Sequence, residues 1–192
     1  MNIGKIYFLA LVFLASNLGA DCGEKRRAVK TLTDAGAAKV ADLQHPKEVS
    51  IREMTGWHRG KPIKKSMLKL ANAARLNKQE KTIYLTRGHL SNVKYEADDQ
   101  GYHLILSDGQ GRTIIAETVS TDCAAGSPFL EQIQKVQAAV EERFGAKEKF
   151  RRHDIDLAVV VTGPAFFDFA HGQRGHADNY VEIHPILDIR FE

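Results

Sequence analysis

Residues 82–119 read TIYLTRGHLSNVKYEADDQGYHLILSDGQGRTIIAETV, and the punctuation of this stretch decides the fold. Thr82 to Glu96 is a long β-rich run, with Gly88 placed where a missing side chain permits a bulge. Asp98-Asp99-Gln100-Gly101 turns the chain into Tyr102 to Ser107, and Asp108-Gly109-Gln110-Gly111 turns it again into Thr113 to Val119. Glycine accepts positive φ, so these Asp/Gly clusters predict hairpins and a three-stranded meander.

The elements that follow have equally clear limits. Ser127 and Pro128 suit a helix start, Gly145 suits its exit, and Leu130, Ile133, Val136 or Gln137, Val140 and Phe144 form one apolar face between them. Asp156 to Thr162 is a nearly uninterrupted apolar strand. Val181 to Phe191 alternates Val181, Ile183, Leu187, Ile189 and Phe191 against Glu182, His184, Asp188 and Arg190, the pattern of one last strand. Phe166, Phe167 and Phe169 read as core or barrel-closing side chains before they read as a stacking platform.

The resulting order is three strands, a helix and two strands. The expectation is a mainly β protein with helices, an OB-like five-stranded barrel over residues 82–192, with an open α+β sandwich of the same elements as the alternative. Barrels of this kind serve unrelated ligands, so the fold assigns no activity.

Upstream of Thr82 the character changes. Residues 21–81 carry a net charge of +8 and residues 82–192 carry −6. Ser50-Ile51-Arg52-Glu53 has the spacing of a capping box and predicts a short helix to about Trp57. Pro62 precedes a helical stripe of Ile63, Met67, Leu70, Ala71 and Ala74, with lysines and arginines mostly off it. The expectation is a basic, partly helical leader over 21–81, separate in role from the strand region.

Residues 1–20 have the pattern of a secretory signal peptide: Lys5, the apolar run Ile6 to Ala15, then Leu18-Gly19-Ala20. Cleavage after Ala20 leaves 172 residues of net charge +2, and no later stretch approaches the roughly 20 apolar residues of a membrane-spanning helix. Export to the periplasm or the extracellular space places Cys22 and Cys123 where paired thiols oxidise, so a disulfide closing about 100 residues is expected. Lipidation of Cys22 is the rival, disfavoured because Asp21 stands where a lipoprotein signal has a small residue.

The densest polar cluster lies between and within the last strands: Asp168, His171, Gln173, Arg174, His176, Asp178, Asn179, Glu182 and His184. Glu182 and His184, two apart in a strand, leave one face, and His103 and Glu117 reach that face if the strands close as expected. His and carboxylates ligate divalent metals, and a metal-bound water is a nucleophile, although this spacing is no recognised zinc signature. The plainer alternative is structural: His171, Gln173 and Asn179 satisfy a Gly-rich loop, while Glu182 and His184 pair with Arg190, Arg87 or each other. A ligand pocket without a reaction is the third.

Tyr102 to Asp108, Thr113 to Glu117 with Cys123, Phe166-Phe167-Asp168-Phe169-Ala170-His171-Gly172-Gln173, and Glu182-Ile183-His184-Pro185-Ile186-Leu187-Asp188-Ile189 resemble an uncharacterised family of small, largely bacterial proteins. The likeness spans about Thr82 to Phe191. It implies a shared fold and draws attention to His103, Asp108, Glu117, His171, Gln173, Asn179, Glu182 and His184 without giving them roles. Pro164-Ala165 and Asp178 depart from the pattern, which bears on the shape of the loop. The arginine and acidic pattern of secreted thermonuclease-type enzymes is not present.

Together these observations point to an exported, soluble binding or structural module that needs no cofactor. The competing class is a metal-assisted hydrolase, on phosphodiesters or nucleic acid, with His171, Glu182 and His184 near the metal and Glu117 or Asp168 as base. The charge of −6 on the strand region disfavours nucleic acid there, and only Arg59 to Lys81 resembles a phosphate-binding footprint.

Overall fold

A computed structural model describes residues 22, 26–40, 43–58, 74–96, 100–145, 151–169 and 172–192, with the backbone alone for 151–154. The chain is mainly β, a seven-stranded mixed sheet with few helices. The strands are β1 (Lys47–Glu48), β2 (Ile83–Glu96), β3 (Gly101–Ser107), β4 (Thr113–Glu117), β5 (Arg151–Phe167), β6 (Val181–Ile183) and β7 (Asp188–Phe191). Among the described residues the α-helices are the single turns α1 (Arg27–Lys30) and α2 (Ile51–Thr55) and the longer α3 (Leu130–Phe144). Strand order is β1-β2-β3-β4-β6-β5-β7, and β2 also pairs with β5, so the path from β2 through β3, β4, β6 and β5 returns to β2. The β4–β6 pairing is parallel, and those of β2 with β3 and β5 are antiparallel.

Two of the expected strand limits move, each for a physical reason. β5 runs on past Thr162 through Gly163 and Pro164 to Phe167, because Pro164 sits where the strand changes partners. Pro164 is opposite Ile83, at the start of β2, and from Ala165 onward β5 pairs with β6, so the missing N–H of proline falls at the end of a ladder. The single strand expected over Val181 to Phe191 is two strands, β6 and β7, separated at the cis His184–Pro185 bond. The bulge in β2 also lies elsewhere: the register shifts between Leu90 and Asn92, not at Gly88. Gly88 answers a different need, since a Cβ there would come within 2.9 Å of Ile51 Cδ1 and 3.0 Å of the Ser107 carbonyl.

α3 begins at Leu130, with Phe129 as its N-cap, and Ser127 Oγ accepts from the Phe129 N–H in the turn before it. Ile133, Val136, Gln137, Val140 and Phe144 are its buried face, and Gly145 (φ 94°) ends it. Val136, Val140 and Phe144 pack with Leu104, Ile114, Val161 and Ile183 in the larger apolar core. Ile133 joins Leu32, Val40, Ile83, Val119 and Leu187 in a smaller one.

The expected helical leader is not what its described part forms. Residues 26–40 and 43–58 hold single turns and the two-residue β1, and Ala74 to Leu76 have no regular structure before a 3-10 turn at Gln79–Lys81. The rest of the helix expected from Pro62 lies in 59–73, outside the described residues. Ser50 does cap α2, its Oγ accepting from the Glu53 N–H at 3.1 Å. Val49, Ile51 and Met54 enter the larger core, and Leu32, Ala37 and Val40 the smaller one.

Candidate functional site

The strand register brings three of the expected side chains together. His103 of β3 and Glu117 of β4 stand opposite each other, and β4 pairs in parallel with β6, just beyond which His184 lies. His103 Nδ1 is 2.9 Å from Glu117 Oε1, and His184 Nε2 is 3.1 Å from Oε2. One carboxylate is thus bracketed by two imidazoles. Exposures are 5% for His103, 5% for Glu117 and 1% for His184. Burial alone pushes the Glu117 carboxyl up, but hydrogen bonds from His103 and His184, and the charges of His184 and Lys30, reverse this and hold it well below the usual carboxylate range.

Glu182 is equally buried at 1% and is paired in register with Ile115 and Phe166. The Phe166 ring meets His184 edge-on at 5.6 Å, and the Arg26 guanidinium lies over Phe166 at 4.5 Å. A continuous line of contacts therefore runs from Arg26 through Phe166, His184 and Glu117 to His103.

Arg26 is itself anchored inside. Its guanidinium makes a two-pronged pair with Glu80 at 2.9 and 2.6 Å and donates to the Phe167 carbonyl at 3.1 Å. Glu80 also accepts from the N–H groups of Phe167 and Leu76. Both side chains are sealed from water, at 1% and 0%. Arg26, Lys30 and Glu80 were not among the expected site residues. Glu80 had a signal that was open to reading, for it is the sole carboxylate between Glu53 and Glu96. Arg26 had none, being one cation among many.

The other expected residues have separate places. Asn179 Nδ2 donates to the carbonyls of Met54 (2.9 Å) and Trp57 (3.0 Å), capping the end of α2, while its Oδ1 accepts from the Val181 N–H. It clamps the last loop onto α2. Gln173 is half-buried, and its Oε1 has no partner among the described residues. Asp168 is buried at 3%, with its N–H bonded to the Tyr180 carbonyl, which closes the base of the loop. Asp108 accepts from the N–H groups of Gln110 and Arg112 and from the Arg112 side chain, which holds the β3–β4 turn. His171 lies outside the described residues, as does most of the basic stretch Arg59 to Lys81. Within that stretch Arg75 is engaged by Asp34 at 2.7 and 3.1 Å and by the Glu80 carbonyl.

Cys22 and Cys123 form the disulfide, with Cα atoms 5.5 Å apart. No helix among the described residues is long and apolar enough to cross a membrane. Among the same residues no group of three or more His, Cys, Asp or Glu side chains is arranged to hold a metal ion. Both Glu117 oxygens face imidazole nitrogens, Oε1 that of His103 and Oε2 that of His184.

No protein-family model and no curated protein matches the chain. Among solved structures it is similar to one titled "OBody AM3L09 bound to hen egg-white lysozyme", at 14% identity and a TM-score of 0.36, covering 57% of this chain and 80% of that one.

Proposed function

We propose that this protein is an exported, soluble binding or structural module, a member of the uncharacterised bacterial family that its C-terminal motifs resemble, built on an OB-like arrangement of β2 to β6. The observation that carries this reading is the placing of Glu117: buried, with each carboxylate oxygen within 3.1 Å of an imidazole nitrogen. A general base or a metal ligand needs an open coordination or proton-accepting position facing substrate. Glu117 instead stands between β3, β4 and the chain just after β6, where its charge ties them together. The disulfide supports export, since such bonds persist in oxidising compartments.

The test separates this reading from metal-assisted hydrolysis. Protein purified without chelating tags is assayed for bound metal, and His184→Ala and Glu182→Gln are compared with it for metal content and thermal unfolding. The module reading expects no stoichiometric metal in any of the three and a loss of about 2 kcal/mol or more in His184→Ala. Stoichiometric metal that disappears in the variants while their stability holds would establish the hydrolase instead.

A further inference from the structure

β7 pairs with β5 alone and ends the sheet, so its outer edge is open among the described residues. The phase of its hydrogen bonds follows from the register. The Glu192 N–H donates to the Ala158 carbonyl at 2.9 Å, and Arg190 and Asp188 stand opposite Val160 and Thr162. In an antiparallel ladder alternate residues bond to the same neighbour, so the backbone N–H and C=O of Ile189 turn away from β5 towards the open edge. Asp188 and Arg190, one on each side of Ile189, are exposed and share a face of the strand. Neither side chain has a partner among the described residues.

A two-fold axis through Ile189 places a second β7 antiparallel to the first. Ile189 then faces Ile189 of the copy as a hydrogen-bonded pair, using the outward N–H and C=O on both sides. Asp188 faces Arg190 of the copy, and Arg190 faces Asp188, in the closer non-hydrogen-bonded positions where side chains meet. We propose that Asp188-Ile189-Arg190 is a self-complementary edge through which two copies of this chain pair into one continuous sheet. The occupant is a second copy because the charge order is its own complement. An edge kept solitary by charge carries like charges, which repel a copy, whereas these attract one at two points.

Sedimentation velocity of the exported chain, from low micromolar to several hundred micromolar, reads the association directly. The expected result is a monomer–dimer equilibrium. Arg190→Asp sets like charges against each other at both crossings and raises the dimer dissociation constant by about tenfold or more. The double exchange Asp188→Arg with Arg190→Asp restores both crossings and the dimer. Both positions are on the surface, and circular dichroism melts of the variants verify that they fold. A chain that is monomeric throughout the range, an Arg190→Asp chain that dimerises as tightly as the unaltered one, or a double exchange that fails to recover association would each overturn the proposal.

Discussion

Glu117→Gln isolates the charge at the centre of the buried network while keeping its shape. In the folded protein the carboxylate takes two imidazole contacts, at 2.9 and 3.1 Å, with all three side chains nearly sealed from water. A hydrogen bond to a charged group contributes about 1.5–3 kcal/mol, and glutamine keeps one acceptor oxygen of the two, so the expected loss is about 2–3 kcal/mol at pH 7. For a chain of this size that corresponds to a fall of about 4–12 °C in melting temperature. The pH dependence supplies the second half of the test. Glu117 titrates well below its ordinary value when folded, so its contribution is complete above the unfolded value of about 4.3 and is lost as pH falls through the folded one. The gap between the wild-type and glutamine proteins should therefore be constant from pH 7 to about pH 5 and narrow towards pH 3. Urea unfolding at a series of pH values measures both. A glutamine variant within about 0.5 kcal/mol of wild type at pH 7, or a gap that does not shrink in acid, would refute a stabilising carboxylate charge between the two imidazoles.

Three further variants test other parts of the structure. Thr86 is 0% exposed, and its hydroxyl has no partner among the described residues, so the near-isosteric Thr86→Val should stabilise by about 1 kcal/mol, read as a higher urea midpoint at unchanged slope. Glu80→Gln leaves the Arg26 guanidinium buried without its counter-charge and should cost about 3–5 kcal/mol by the same measurement, more than any exposed pair such as Lys135–Glu131. Replacing Cys22 and Cys123 together by serine opens a span of 101 residues; chain entropy puts the loss at up to about 4–5 kcal/mol, and the oxidised wild type treated with a dithiol should match the double variant in thermal stability.

Local signals in the sequence carried far where they set strand and helix identity. The Asp/Gly turns did delimit β2, β3 and β4, and the three-to-four spacing marked the buried face of α3 residue by residue. The convergence of His103, Glu117 and His184 was legible too, because side-chain alternation and the pairing of β3 with β4 and β4 with β6 suffice to bring them to one place. What escaped depended on contacts distant in the chain. Nothing near Arg26 tells that it lies over Phe166, 140 positions later, and nothing near Asn179 tells that its amide closes α2. The length of β5 escaped for the opposite reason: Gly163-Pro164 is a strong local stop that a change of partner strand overrides.

That change of partner makes β5 the common neighbour of β2, β6 and β7. Everything made before Arg151 lacks the strand against which the long β2 is to lie, and the core around Leu90, Leu104 and Ile114 lacks Val159, Val161, Ala165 and Phe167 of that strand. A chain emerging from its amino end must therefore wait for its last quarter before any of it becomes native, and fragments stopping short of that quarter are expected to be sticky, protease-sensitive material instead of smaller working copies.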